Sequence, residues 1–257
     1  MSLCQLAIRL VTVKALAGQT LAGGAVSDSE VSAIDVAAAE HKRPFIAVYT
    51  DDGEAQGIGR DLLSGNGTFS LVIETGVTSK MRYRLDSGDD ELVDALVPTD
   101  ALMEMTLNLI ARQIAIALAD PLNEWAELWR RLVTKVGRIR TRRGASADKL
   151  LRFAGRQMEI EVHPLADPPF GKAPAGVWSD LLAKIEQDGD PDFRKLAAVI
   201  RSSIVGDPPA PSWRIDQSQL ALSSDEAGAM LITPPEGPGE GDVAIDSVVI
   251  ADAEPIG

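Results

Sequence analysis

Residues 99–119 read TDALMEMTLNLIARQIAIALA and form the most strongly helical stretch of the chain. Apolar residues recur three and four positions apart and fall into two stripes. One stripe carries Leu102, Met105, Leu109, Gln113 and Ile116, and the other carries Met103, Leu107, Ile110, Ile114 and Leu118. Thr99 or Asp100 can cap the first turn. A helix that is apolar on two stripes is buried widely, either in the core of a domain or in a contact between subunits.

Around this helix, three short segments have the pattern of β-strands. Residues 45–50, FIAVYT, lie between Pro44 and a turn at residues 51–53, and residues 68–77 and 153–163 alternate apolar with polar side chains. Helices are expected at residues 3–17, from Asp120-Pro121 through Leu132, at 177–187 and at 192–204, and the acidic residues 86–94 suit the start of another helix. These elements predict an α+β fold, in which a small mixed or antiparallel sheet is flanked by helices and followed by a C-terminal extension.

The composition is that of a globular chain with few aromatic side chains. Of the 257 residues, 45% are hydrophobic and 4% are aromatic, so the core must consist mainly of Leu, Ile, Val and Ala. The single cysteine, Cys4, excludes an internal disulfide. The first residues lack a secretory cleavage site, and the longest fully apolar run is short. We therefore expect a protein that is made and folded in the cytosol, without a transmembrane helix.

The charge of the chain is distributed unevenly. The formal net charge is −13, yet residues 206–257 contain ten acidic residues against one basic residue, Arg214. The only strongly basic stretch contains Arg130, Arg131, Lys135, Arg138, Arg140, Arg142 and Arg143, with no acidic residue among them. Three interpretations stay open for it: contact with a phosphate backbone, docking to an acidic surface of a partner or sister subunit, and a solvated helix end.

The residues that carry most enzyme chemistry are sparse. His41, His163 and Cys4 are the only histidines and cysteine, and none has the close spacing of metal ligands. The chain has no Gly-x-Ser-x-Gly elbow, and its paired glycines do not precede a helix as phosphate loops require. We therefore expect no catalytic residue, no metal and no cofactor. The alternative from another class is a hydrolase that uses His163 and a carboxylate.

The order of several segments resembles a known family. The opening helix around LAIRL at residues 6–10 leads to VSDS at residues 26–29, and the strand at residues 45–51 follows a proline. After the long helix come GAS at residues 144–146 and RFAGRQMEI at residues 152–160. This arrangement is similar to the tail terminator (minor tail protein U-like) proteins of long-tailed bacteriophages and gene transfer agents, over roughly residues 1–170.

The resemblance implies a structural role in the virion. Members of this family form a hexameric ring that caps the tail tube and joins it to the neck, and DNA passes through the ring without sequence-specific binding. The implied partners are further copies of the chain, the tail tube protein and a neck or head-completion protein. The resemblance covers a core at residues 1–170. Beyond it, the sequence pattern predicts a helical extension at 171–206 and an acidic, Pro- and Gly-rich tail at 207–257, which make this chain longer than the compact members of the family. A head-completion, stopper or connector subunit of the neck is the alternative.

Overall fold

The protein is described from a computed structural model. It describes residues 2–29, 44–55, 60, 67–78, 99–148, 151–206 and 209–232. The helix start predicted at residues 86–94, His41 and the acidic residues after position 232 lie outside these ranges.

Five strands form one mixed sheet. They are β1 (Val26–Asp28), β2 (Phe45–Glu54), β3 (Thr68–Thr78), β4 (Val133–Asp148) and β5 (Leu151–Pro164). The order across the sheet is β1-β2-β3-β5-β4. β1 runs parallel to β2, and every other neighbouring pair is antiparallel. With the helices that flank it, this sheet confirms the predicted α+β fold.

Helices α1 (Leu3–Leu16) and α2 (Asp100–Ala119) cover one face of the sheet. α1 packs against β1 and β2, α2 packs against β3 and β5, and the two helices contact each other. In α2, Thr99 is the N-cap and its hydroxyl accepts a hydrogen bond from the backbone N–H of Leu102. The sheet side chains that meet the helices are Ile46, Val48, Phe69, Leu71, Ile73, Ile160 and Val162, all buried in one core.

Three further helices complete the same compact unit, which comprises residues 1–209. They are α3 (Glu124–Leu132), α4 (Val177–Glu186) and α5 (Pro191–Val205). Trp125 of α3 meets Phe193 of α5 edge to face at 5.9 Å between ring centroids, and the ammonium group of Lys14 lies 4.1 Å from the centre of the Phe193 ring. These contacts join α1, α3 and α5. Residues 210–257 form a second unit, which contains α6 (Ser212–Gln219) and α7 (Ser224–Ala229).

One prediction of local structure is wrong. The helix expected from Asp120-Pro121 begins at Glu124, because the Asn123 side chain accepts from the backbone N–H groups of Trp125 and Ala126 and caps the helix there. The interpretation of the basic stretch as a helix end applies only to Arg130 and Arg131, because the helix stops at Leu132 and the chain continues as strand β4. β4 has no regular alternation of apolar residues, so its pairing with β5 sets its conformation rather than its own pattern.

Helix α2 also corrects the expectation that no segment can span a membrane. By length and composition alone, its 20 residues are long and apolar enough to cross a membrane. The same helix buries Met103, Leu107, Ile110 and Ile114 against the sheet, as a core helix does.

Candidate subunit interface

The seven basic residues predicted as a contact surface lie on two elements. Arg130 and Arg131 end helix α3, and the other five lie on β4, the edge strand of the sheet beyond β5. All five side chains on β4 are exposed. The structure therefore brings most of the predicted residues to one edge of the sheet, where they separate into groups with different partners.

Arg130 has a structural role in this arrangement. Its Nη1 donates to the backbone oxygens of Leu118 at 2.9 Å and Asp120 at 3.1 Å, and its Nη2 pairs with the Glu127 carboxylate at 2.7 Å. Helix α2 has no basic residue of its own in its last turn. Arg130 thus supplies a cation and hydrogen-bond donors to the unpaired carbonyl groups at the C-terminus of α2.

Arg131 connects two helices. Its Nη2 lies 2.7 Å from a carboxylate oxygen of Asp180 in α4. Both side chains are exposed, so the pair contributes little to stability. The ion pair joins helices α3 and α4, so Arg131 is not an unpaired cation on the surface.

Arg140 and Arg142 share one carboxylate on the sheet face that α1 and α2 do not cover. Each guanidinium lies 3.5 Å from an oxygen of Glu159, which also accepts a hydrogen bond from the Ser70 hydroxyl at 3.3 Å. Arg140 is paired directly with Glu159 across the strands, so the two side chains must project from the same face. One carboxylate between two guanidinium groups leaves a net positive charge at this edge.

A polar network continues across this face toward β2. The Tyr49 hydroxyl donates to Glu74 at 2.8 Å, and the Gln157 amide donates to both Tyr49 at 3.0 Å and Glu74 at 2.9 Å. Burial, together with the hydrogen bond to the Glu74 carboxylate, raises the pKa of Tyr49 to about 12. The alternation of residues 157, 159 and 161 in the sequence indicates a polar face, but it does not identify the partners of these side chains.

Arg143 projects to the opposite face, where α2 lies. Its Nε is 3.3 Å from Glu104, which also accepts from Nη2 of Arg156 at 2.6 Å. Nη1 of Arg156 donates to Asn108 at 2.5 Å. These contacts attach the first half of α2 to strands β4 and β5. Arg143 therefore already has an ion-pair partner, Glu104, within its own chain.

Lys135 and Arg138 differ from the other cations of the set. Within the described ranges, neither side chain has an ion pair. Arg138 lies in a bulge between Val136 and Ile139, next to Gly137. The end of the Glu161 side chain lies where a Cβ atom of residue 137 would be, so a larger residue there would displace that carboxylate. Lys135, which is paired with His163, and Arg138 are both exposed to solvent on this edge strand.

Helix α2 separates its two apolar stripes as the sequence indicates. The stripe with Met103 and Leu107 is in the core, whereas Met105, Leu109 and Ile116 are 50%, 44% and 54% exposed. On β4, Ile139 is 58% exposed as well. Large apolar side chains at regular helical spacing on a surface are typical of contacts with another protein.

Cys4 and His163, the described residues that could carry nucleophilic or acid–base chemistry, lie on different elements, α1 and β5. Burial and the nearby Asp167 carboxylate raise the pKa of the Cys4 thiol to about 12, which leaves it protonated at neutral pH. His163 lies 3.7 Å from Glu161 on β5, an interior strand of the sheet, and is paired with Lys135 of β4. Among the residues that the structure describes, no group of three or more His, Cys, Asp or Glu side chains is placed to hold a metal ion.

A cleft of about 480 Å³ lies at the N-terminus of α1. Its main charged groups are already engaged: Asp167 accepts from the backbone N–H groups of Leu3 and Cys4, at 2.9 and 2.8 Å, and Nε of Arg9 lies 2.7 Å from Asp28. These groups stabilise the start of α1 and its contact with β1.

In a comparison with known proteins, no family model and no curated protein matches the chain.

Proposed function

We propose that this chain is a structural virion protein of the tail terminator type. In this role, copies of the chain form a ring, hexameric as in the family it resembles, which caps the tail tube and joins the tail to the neck. The ring binds the tail tube protein on one side and a neck or head-completion protein on the other, and DNA passes through its lumen without sequence-specific contacts. Residues 1–170 supply the core of the subunit, followed by the helical extension at 171–206 and the acidic tail at 207–257.

The observation that carries this proposal is the outer stripe of helix α2. Met105, Leu109 and Ile116 remain exposed although the opposite stripe of the same helix is buried. Burial of apolar surface contributes about 25 cal/mol per Å², so contact with another protein would stabilise this stripe. A subunit of a ring needs such surfaces in addition to its own core.

The charge distribution supports the same role. Lys135 and Arg138 project from the edge strand without ion-pair partners among the described residues, while the chain as a whole carries a net charge of −13. An acidic protein with one basic edge is suited to contacts with acidic protein surfaces, including those of its own copies.

The proposal is tested by measuring assembly directly. Mass photometry of the purified full chain over a range of concentrations is expected to show a ring-sized oligomer, and purified tail tubes are expected to bind it at their ends. Monomers at every concentration, together with no binding to tubes, would contradict the proposal.

The position of the protein in a particle separates a tail terminator from another neck protein. Density for the chain directly on the last tube ring supports the terminator, whereas density next to the portal supports a head-completion, stopper or connector subunit. An electron cryomicroscopy map of a particle that contains this chain distinguishes the two.

Nucleic-acid binding is the other role that a specific observation favours, because five exposed cations lie along β4. If β4 binds a phosphate backbone, duplex DNA should bind at low salt and be released steeply as salt is added. The absence of measurable duplex binding at low salt would remove this candidate.

A further inference from the structure

The two edges of the sheet carry opposite charge. β4 forms one edge, and its exposed residues include Lys135, Arg138 and Arg140. The other edge is formed by β1 and by the part of β2 that β1 does not reach. The exposed half of β2 contains Asp51, Asp52 and Glu54. The sequence pattern predicts only a turn at residues 51–53, since their position on a sheet edge depends on the pairing of the strands.

Among the described residues, no strand pairs with the acidic half of β2 on its outer side. β1 pairs with β2 only from Ile46 to Val48, and the backbone N–H of Ser29 adds one more hydrogen bond, to the oxygen of Val48. β2 continues to Glu54. Within the described part of the chain, residues 49–54 thus have β3 on one side and no strand on the other.

The acidic and basic segments lie at the same height along the strands. Two rows of paired residues cross the sheet and show this: Gly53, Phe69, Val162 and Val136 form one row, and Tyr49, Val72, Glu159 and Arg140 form the other. A second copy placed edge to edge at this height brings Asp51 and Glu54 of one chain next to Lys135 and Arg138 of the other.

We infer that copies of this chain associate head to tail, with the basic edge strand β4 of one copy against the acidic half of β2 in the next copy. This inference rests on the proposed function and specifies the contact between copies that the ring requires. Pairing of two β4 edges would bring like charges together, and so would pairing of two β2 edges. Only the head-to-tail contact joins opposite charges, and a contact between two different surfaces closes a ring when its rotation fits.

Reversal of the charges on one edge at a time tests the contact. K135E/R138E makes residues 135–138 of the basic edge acidic, and D51K/E54K gives residues 51–54 of the acidic edge a net positive charge. Sedimentation velocity of the full chain is expected to show that each double variant dissociates at a concentration at least about tenfold higher than the unchanged chain. An equimolar mixture of the two double variants is expected to associate again, because each then offers the edge that the other lacks. The fourfold variant K135E/R138E/D51K/E54K is expected to associate by itself.

A matched control separates edge contact from net charge. K172E/K195E changes the net charge as much as K135E/R138E does, at exposed positions outside the strands of both edges, and should leave association unchanged. Circular dichroism shows whether each variant is folded, and the neutral pair K135Q/R138Q should weaken association in the same direction as K135E/R138E.

The possible results have different meanings. If the unchanged chain assembles but the single-edge variants assemble equally well, or if their mixture fails to associate, the inference is overturned and the proposed function remains. Loss of duplex DNA binding in K135E/R138E, with self-association intact, would overturn it in favour of a nucleic-acid surface on β4. A chain that is monomeric throughout and does not bind tail tubes contradicts both.

Discussion

Arg130 illustrates how a residue in a basic cluster can serve the fold rather than the surface. The sequence places it with six other cations, and only the tertiary structure shows that it caps helix α2 through the oxygens of Leu118 and Asp120. Arg138 belongs to the same cluster but has no ion pair within the described ranges.

We expect Arg130→Ala to lower the free energy of unfolding by about 1–2 kcal/mol, since hydrogen bonds from a charged donor are lost and part of the side chain is solvated. Arg138→Ala should change it by less than about 0.5 kcal/mol. Urea unfolding monitored by circular dichroism measures both variants. Equal effects of the two substitutions would show that the contacts of Arg130 contribute nothing to stability.

Tyr49 is a second residue whose behaviour depends on its neighbours. The pKa of Tyr49 is raised to about 12 by burial and by the Glu74 carboxylate that accepts its hydrogen bond. The neutral phenol is therefore favoured in the folded state. Its contribution to stability is fully present below the ordinary tyrosine pKa of about 10. It is lost as the pH rises from about 10 through about 12, because the unfolded chain releases the proton first.

We expect the phenolate absorbance of Tyr49 to appear with a midpoint near pH 12. Tyr83 is the only other tyrosine, so titration of Tyr83→Phe isolates the signal, and Tyr49→Phe provides the blank. Glu74→Gln in the Tyr83→Phe background should lower the midpoint, because it removes the carboxylate. An unchanged midpoint would assign the shift to burial alone.

At the scale of a single helix, its packing against the sheet determines which of its apolar residues are buried in the core and which are exposed. Leu107 and Leu109 are two positions apart on helix α2, yet the first is fully buried and the second is 44% exposed. The difference follows from their angle around the helix axis, since only one side of α2 faces the sheet.

Leu107→Ala should therefore lower the free energy of unfolding by about 2–5 kcal/mol, because it removes buried methyl groups and leaves a cavity. Leu109→Ala should lower it by less than about 1 kcal/mol in the monomer. Under the proposed function, Leu109→Ala weakens self-association instead. Denaturant unfolding below the assembly concentration and sedimentation above it measure the two effects separately, and a large loss of monomer stability in Leu109→Ala would contradict this assignment.

At the scale of the whole molecule, two electrostatic effects oppose each other in any assembly of this chain. A net charge of −13 makes copies repel, whereas the oppositely charged sheet edges attract at short range. Raising the ionic strength from about 0.01 M to about 0.1 M shortens the screening length from about 30 Å to about 10 Å. Both effects become weaker, so the comparison between variants is more informative than either salt series alone.

We expect added salt to raise the dissociation constant for self-association of the unchanged chain relative to that of K135E/R138E. In this variant the attraction between the edges is lost and only repulsion remains. The constant of K135E/R138E should fall as salt is added. Analytical ultracentrifugation across a salt series gives both slopes, and equal slopes would show that the edge charges make no contribution to assembly.

Local sequence patterns predicted many of the regular elements of this fold. Helices α1 and α2 and strands β3 and β5 were predicted because their apolar residues repeat at the helical or strand spacing, which the local backbone determines. Strand β2 was predicted from its apolar run between Pro44 and a turn. The α+β class followed from these elements, and so did the two stripes of α2. The partners of Arg130 and Glu159 did not, since they are distant along the chain.

The sequence by itself determined where the apolar faces lie, how the charge is divided and which residue types are scarce. The tertiary structure decided that residues 133–148 are a strand, since their conformation comes from pairing with β5 rather than from a pattern of their own. It also decided which stripe of α2 enters the core and which cations have partners. The physical reason is that strand pairing and helix packing join residues far apart in the chain. Asp51 and Arg138 lie on opposite edges of one sheet because β3 and β5 pair between their strands.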